Sequence, residues 1–228
     1  GGSCRPARSV GLVSSTIEIV ISAGLVLCLA LIPAAYALGM LPSARLVARR
    51  SGVDIAKEGS GNPGASNVIR LVGWRAGLLV LALDVGKGAL AAGVGLALDD
   101  HRGAFILGVA AVIGHVFPIT TRFRGGKGVA TAAGVMLVVF PFVVVVLGVV
   151  WVIIAKGLHK ASIASVVVAA LFPVIVILRG GGALDISVTC ALAVVVIGRH
   201  YSNIRRLVKG EELGLGGGTT RKPNAGGE

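Results

Sequence analysis

Apolar runs of roughly 15 to 25 residues recur along this chain, and nearly all charged residues fall between them. Each run is long enough to cross a hydrocarbon core of about 30 Å at 1.5 Å per residue. Only 14% of the 228 residues are charged and 55% are hydrophobic, against about 25% charged in soluble domains. The chain therefore reads as an all-α integral membrane protein.

The first run spans about Ile17 to Leu38, and a helix can continue past Pro42 to about Ala48. Further runs cover Gly77 to Leu98, Gly103 to Ile119, Val129 to Ala155, Ser162 to Leu178 and Leu184 to Gly198. The fourth of these six runs holds Pro141, and that residue decides the topology. One kinked helix over it would be about 40 Å long and would put Lys127 and Lys156 on opposite sides of the membrane. Two short helices meeting near Pro141 would put both lysines on one side. With the break there are seven transmembrane helices. Seventeen Lys and Arg residues then lie on one side and four (Arg5, Arg8, Arg102, Arg179) on the other. That asymmetry satisfies the positive-inside rule, and proline inside a helix costs about 3 kcal/mol. The expected fold has seven spans, the N-terminus outside and the C-terminus cytoplasmic. A six-span chain is the alternative. Residues 1–14 are expected to form an N-terminal tail, 15–212 the membrane domain, and 213–228 a disordered tail.

A net charge of +12 would suggest nucleic acid in a soluble chain. Here the basic residues sit in loops between membrane runs, and aromatic residues make up only 4%, too few to stack bases. No nucleic-acid partner is expected. Cys4, Cys28 and Cys190 are odd in number and far apart, with no C-x-x-C pair, so neither a metal site nor a disulfide framework is indicated. Arg5 and Arg8 precede an apolar run without a clean cleavage site, so that run is read as a retained helix rather than a signal peptide.

Three polar motifs emerge on the same expected face. The stretch "KEGSGNPGASN" (57–67) contains G-x-G-x-x-G at Gly59, Gly61 and Gly64. A dinucleotide site needs a strand before those glycines and an acid about 20 residues on. The acid would be Asp84, inside a membrane run, so the dinucleotide reading fails. The plain alternative is a flexible loop. Backbone amides free of side chains can instead cradle an anion, with the following helix N-terminus adding its dipole and Arg70 its charge. "RGGKG" (124–128) resembles half of a P-loop, but Thr121 and Gly128 stand where a glycine and a hydroxyl are needed. It keeps the parts of an anion clamp around Lys127, or else is a basic membrane anchor. "RHYSNIRRLVKGEE" (199–212) sets His200 and Asn203 one helical turn apart, and it too can be a simple basic cap. His115 near the end of the third run reads as an interior histidine. Asp84 and Lys87, spaced i, i+3 inside a membrane run, read as a mutual ion pair.

Together these segments resemble the bacterial integral-membrane glycerol-3-phosphate acyltransferases that use acyl phosphate, the PlsY family. Its patterns "GSGNxGATN", "GHxFPxxxxFxGGKGVAT" and "RHxxNIxRLxxGxE" correspond to "GSGNPGASN" (59–67), "GHVFPITTRFRGGKGVAT" (114–131) and "RHYSNIRRLVKGEE" (199–212). The likeness runs from about residue 30 to 212, in order. It implies transfer of a fatty acyl group from acyl phosphate to the 1-hydroxyl of sn-glycerol 3-phosphate, giving lysophosphatidic acid and phosphate. The setting it implies is the bacterial cytoplasmic membrane, with the site facing the cytoplasm. No metal or other cofactor is expected, and the oligomeric state is left open, a monomer being admissible.

By the same resemblance Ser60, Arg70, Lys127, His200 and Asn203 are the expected catalytic residues. Arg70 and Lys127 would balance phosphate charge, Lys127 would also meet the acyl oxyanion, and His200 and Asn203 would orient glycerol 3-phosphate. The expected substrate-binding residues are Gly59, Gly61, Asn62, Gly64, Ser66, Asn67, His115, Gly125, Gly126, Gly128 and Thr131, with loop amides of Gly59 to Gly64 holding the acyl phosphate. Ser66 replaces the family's usual threonine and keeps its hydroxyl; Met40 replaces a common small serine. No H-x-x-x-x-D acyltransferase motif exists: the residues five after His101, His115, His159 and His200 are Ile106, Thr120, Ala164 and Arg205. The donor that the resemblance implies is already activated by its phosphate leaving group, so a substrate phosphate oxygen is the expected proton acceptor, with a side chain as the open alternative. A transporter or channel for an anionic solute is the rival class. It is disfavoured because the glycine motifs do not recur in inverted topology.

Overall fold

The computed structural model describes residues 9–215, with side chains from residue 23 onward. Every regular element among the described residues is helical. Helix α1 runs Ser9–Gly39, α2 Ser43–Arg49, α3 Ala65–Leu71, α4 Trp74–Val116, α5 Val129–Val139, α6 Pro141–Leu158, α7 Ala161–Leu178, α8 Ala183–Arg199 and α9 Tyr201–Val208. A single 3-10 turn, Ile119–Thr121, follows α4. Helix α1 therefore begins within the stretch expected as tail, and residues 1–8 and 216–228 lie outside the described residues.

Helix α4 is two helices folded back on each other. Asp99 and Asp100 leave helical geometry, Asp100 at φ 54°, which divides the 43 residues into an outgoing and a returning arm where the sequence reads "DDHR". The arms close tightly at their bend, since a Cβ on Gly95 would fall on the carbonyl of Gly103. Small residues let helices approach in this way where no hydrophobic drive separates lipid from neighbour. Pro141 breaks the fourth apolar run as expected. Phe140 leaves helical geometry (φ −132°, ψ 61°) and Pro141 opens α6, the one helical position where its missing N–H costs nothing.

The helices share two ends. At one, His101, Phe105, Phe140 and Phe172 join rings at centroid distances of 6.0 to 6.5 Å. This end gathers the α4 bend, the α5–α6 break and part of α7. At the other end, Tyr36 donates to the Phe117 carbonyl (2.7 Å) and Lys127 to Asn203 (2.6 Å), while the Leu215 amide donates to the His159 carbonyl (2.7 Å). Helix α5 thus leads away from the loop-rich end and α6 returns to it, so Lys127 and Lys156 lie toward the same end of the bundle.

Ala23–Arg49, Trp74–Thr121, Pro141–Leu158 and Ala161–Leu178 are each long and apolar enough to cross a membrane, and the bent pair α8–α9 (52°) makes a fifth candidate. At 11 residues, α5 reaches only about 17 Å. Large apolar side chains face outward along the bundle, among them Val26, Leu79, Val145, Ile153 and Val194. Such a surface suits lipid, not water. The interior is packed by Phe105, Val112, Val116, Val135, Met136 and Leu192.

Candidate active site

At the loop-rich end lies a cavity of about 620 Å³, lined by Ser60, Gly61 and Asn62 from the first motif and Gly125 and Lys127 from the second. The third motif supplies Arg199, Ser202, Asn203 and Arg206. Thr120, Thr121, Arg122 and Arg124 complete the wall with Arg45, Ala56 and Pro63. Six cationic side chains reach it and no carboxylate does. Three segments far apart in sequence therefore converge as the topology anticipated.

The first loop departs from the expected cradle. The amides of Ser60, Gly61, Asn62 and Gly64 are bonded inside the loop, to Asn67 Oδ1 (3.0 Å), the Glu58 carbonyl (3.0 Å), Ser60 Oγ (3.4 Å) and the Asn62 carbonyl (3.0 Å). Pro63 has no N–H to offer. These amides serve the loop's own shape, and side chains face the cavity instead. Asn67, expected as a substrate contact, is 1% exposed. Its Nδ2 donates to the carbonyls of Glu58 (3.1 Å) and Ile55 (3.4 Å), and its Oδ1 also accepts from Arg70 Nη1 (3.0 Å). A buried amide with four donor and acceptor needs has become the knot of the loop. Gly59 and Gly61 take left-handed φ of 60° and 67°, the conformation glycine admits without strain. Gly64 caps α3, and Ser66 is half-buried in its first turn.

The second loop is also pinned through its backbone. The amides of Gly125 and Gly126 donate to the carbonyls of Val116 (3.2 Å) and His115 (3.1 Å), left open where α4 ends. His115 itself lies in a smaller adjoining cleft with Met40, Ser43 and Asp84, not in the main cavity. There Asp84 Oδ1 accepts from Ser43 Oγ (2.9 Å) and pairs with Lys87 Nζ (2.8 Å), with His115 Nδ1 at 3.6 Å. The Asp84–Lys87 pair is thus internal packing, as read from its spacing. A Cβ on Gly125 would fall on the His115 carbonyl. Gly125→Ala is therefore expected to destabilise the protein by about 1–3 kcal/mol, seen as a lower thermal midpoint in detergent. An unchanged midpoint would show that the loop can shift. Gly128 is left-handed (φ 83°) at the α5 N-cap. Thr131 is fully buried, and its hydroxyl has no partner among the described residues.

Lys127 projects from the second loop, and Asn203 Oδ1 receives its ammonium at 2.6 Å. Burial pushes its pKa down to about 8, with Glu212 opposing and the charges of Arg206, Arg70 and Arg199 adding to the fall. Just past α8, His200 is 2% exposed beneath the cavity wall, and its Nδ1 lies 2.7 Å from the Val196 carbonyl. A carbonyl only accepts, so Nδ1 carries the proton and Nε2 is left as an acceptor.

Glu212 and Arg199 stand at the two ends of the third motif, but sequence reasoning gave neither a role. Helix α9 ends with Gly210 at φ 72°, and Glu211 N–H reaches back to the Arg206 carbonyl (2.8 Å). This Schellman turn sends the chain back across the site. Glu212 Oε1 accepts from Asn203 Nδ2 (2.6 Å) and Ser162 Oγ (2.7 Å), and Oε2 from Arg206 Nε (3.0 Å). Burial works against its charge, but the bonds from Asn203 and Ser162 and the Arg206 charge outweigh it and hold the carboxyl below its usual range. Residues 213–215, expected in a disordered tail, are docked: the Gly214 carbonyl accepts from Arg70 Nε (3.1 Å). Arg70 is thereby fixed in the wall behind the cavity.

Residues 29–210 match the family model described as glycerol-3-phosphate acyltransferase. A glycerol-3-phosphate acyltransferase of Bacillus cytotoxicus is 42% identical over 181 residues, covering 78% of this chain and 90% of the relative. One from Hydrogenovibrio crunogenus is 43% identical over 192 residues, covering 81% and 90%. Two crystal structures of PlsY (YgiH), an integral membrane glycerol 3-phosphate acyltransferase, superpose on the chain at 34% identity. The glycerol 3-phosphate form has a TM-score of 0.79 and covers 83% of this chain and 96% of that one. The lysophosphatidic acid form has a TM-score of 0.76, with 82% and 94% covered.

Proposed function

The chain belongs to the glycerol-3-phosphate acyltransferase family, and from that membership and its cavity we infer that it acylates glycerol 3-phosphate to lysophosphatidic acid. The observation that carries the reading is a cavity of six cations without a carboxylate, built from all three motifs. The donor we propose is acyl phosphate and the acceptor group the 1-hydroxyl. A phosphate monoester carries about −1.5 to −2 charges at pH 7, so two phosphorylated substrates bring about −3 to −4. Of the six, Arg206 is paired with Glu212 and Arg199 is turned to the Gly125 and Gly126 carbonyls, which leaves Arg45, Arg122, Arg124 and Lys127 to meet that load. Seven membrane traverses are proposed, with the cavity at the cytoplasmic face of a bacterial inner membrane. The concentration of Lys and Arg at the loop-rich end supports this orientation.

In the proposed reaction the 1-hydroxyl oxygen bonds to the acyl carbon and the bond from that carbon to the phosphate oxygen breaks. Phosphate leaves with the electron pair, and a substrate phosphate oxygen takes the hydroxyl proton. Lys127 balances phosphate charge and the developing oxyanion, with Asn203 fixing its ammonium. Ser60 and Asn62 contribute side-chain hydrogen bonds from the facing wall. Arg70 acts from behind the cavity, and the buried His200 acts from beneath its wall.

The deciding assay supplies acyl phosphate and glycerol 3-phosphate to purified protein in lipid. Phosphate release and lysophosphatidic acid formation dependent on both substrates are expected. Turnover with acyl-CoA but not acyl phosphate would overturn the donor assignment.

A pH dependence follows from Lys127. With its pKa near 8 in the free protein, rising pH removes the charge that receives phosphate. The ratio kcat/KM for glycerol 3-phosphate is expected to fall above about pH 8, approaching tenfold per pH unit. Lys127→Arg, charged throughout, should carry a flat profile to higher pH. A wild-type profile flat to pH 9.5 would show that Lys127 does not titrate in the free enzyme.

A further inference from the structure

We propose that Arg199 is a positioning residue for Lys127, acting by gripping the carbonyls of Gly125 and Gly126 with its planar guanidinium. The proposal rests on the acyltransferase reading and adds a role that the motif alone did not suggest.

Arg199 is the last residue of α8, and its Nη2 donates to the Gly125 carbonyl (3.0 Å) and its Nε to the Gly126 carbonyl (3.3 Å). The guanidinium also sits over the Phe117 ring, 5.5 Å from its centroid, which fixes its plane. The same two glycines give their amides to the end of α4. Both faces of the Gly125–Gly126 backbone are therefore held, one by a helix terminus and one by Arg199.

The next residue is Lys127. A lysine ammonium rides on a flexible four-carbon stem, so its position depends on how firmly the backbone beneath it is fixed. Four residues after Arg199, Asn203 takes the ammonium itself. The α8–α9 bend thus holds Lys127 at two points, the backbone through Arg199 and the charge through Asn203. A lysine at 199 keeps the charge but lacks the planar fork that meets both carbonyls while lying flat on Phe117. Displacements on the order of 1 Å at a reacting group cost about a hundredfold in rate.

The test compares wild type, Arg199→Lys and Arg199→Ala in lipid, with kcat and KM for glycerol 3-phosphate measured separately. Arg199→Lys is expected to lose about 10- to 100-fold in kcat, with KM within about threefold of wild type. Guanidinium ion added to Arg199→Ala should restore part of the turnover. In a Lys127→Ala background Arg199→Lys should cost little more, because nothing remains to be positioned. A rise in KM alone would overturn the proposal, since Arg199 would then be a direct substrate contact. So would wild-type kinetics in Arg199→Lys, or losses that simply multiply with Lys127→Ala. If Arg199→Ala fails to fold, the Lys variant and Phe117→Leu, which removes the stacking but keeps both hydrogen bonds, decide the question; Phe117→Leu is expected to show a smaller kcat loss. Wild type that does not acylate glycerol 3-phosphate would sink the acyltransferase reading, whereas Arg199→Lys equal to an active wild type sinks the grip alone.

Discussion

Lys127→Met is expected to lower turnover about 10²- to 10³-fold while leaving the thermal midpoint of the purified protein close to wild type. Methionine keeps the length of the stem and removes the charge. In the free protein that charge touches one neutral acceptor, Asn203 Oδ1, so its loss strands no carboxylate and stability changes little. In the reaction proposed above the same charge would face the oxyanion and the departing phosphate, where a single preorganised donor is worth about 10²–10³ in rate. Phosphate release from acyl phosphate and glycerol 3-phosphate measures the effect. Turnover above a tenth of wild type would remove Lys127 from the reacting centre.

Glu212→Ala acts on the opposite quantity. Its carboxylate receives Asn203, Ser162 and Arg206, and its backbone carbonyl receives Lys160. Removing one partner of a buried pair costs about 3–5 kcal/mol. The Arg206 side chain is 27% exposed and can turn to water, which places the expectation near 3 kcal/mol. For a chain of this size that is about 6–12 °C in thermal midpoint. Activity should fall as well, because an Asn203 amide freed of Glu212 can rotate and turn its Nδ2 rather than Oδ1 toward Lys127. Glu212→Gln keeps the shape and should recover part of the loss. A midpoint within 2 °C of wild type for the alanine variant would refute this account.

The parts of this molecule that were legible in the sequence are those where one residue type has one physical meaning. Pro141 had to open a helix, "DDHR" had to leave the apolar interior, and long apolar runs had to be helices. The convergence of three motifs followed from the placement of their loops at one end. Asn67 was misread because a carboxamide is equally suited to a ligand and to its own loop, and only the packed register decides. The amide cradle was misread for the same reason: glycine spacing shows that a backbone can bend, not where its N–H groups point. Arg199 went unassigned because its partners are carbonyls, which every residue has, so no side chain marks the receiving end. The start of α1 at Ser9 was hidden by a polar-leaning stretch, "SVGLVSST", in which apolar residues are too sparse to signal a helix.

The Lys127–Asn203 bond, the Glu212 carboxylate behind it and the guanidinium grip also set when the site can exist. Lys127 and Asn203 are separated by 76 positions in the chain. At about 5–20 residues per second, a ribosome needs roughly 4 to 15 s to travel from one to the other. During that interval the first two loops are already made, but Arg199, Asn203 and Glu212 are not. A chain halted before α8 would carry both glycine motifs and most of the bundle and still have no held lysine. Synthesis through Glu212, rather than insertion of the early helices, is therefore the step that completes the hold on Lys127.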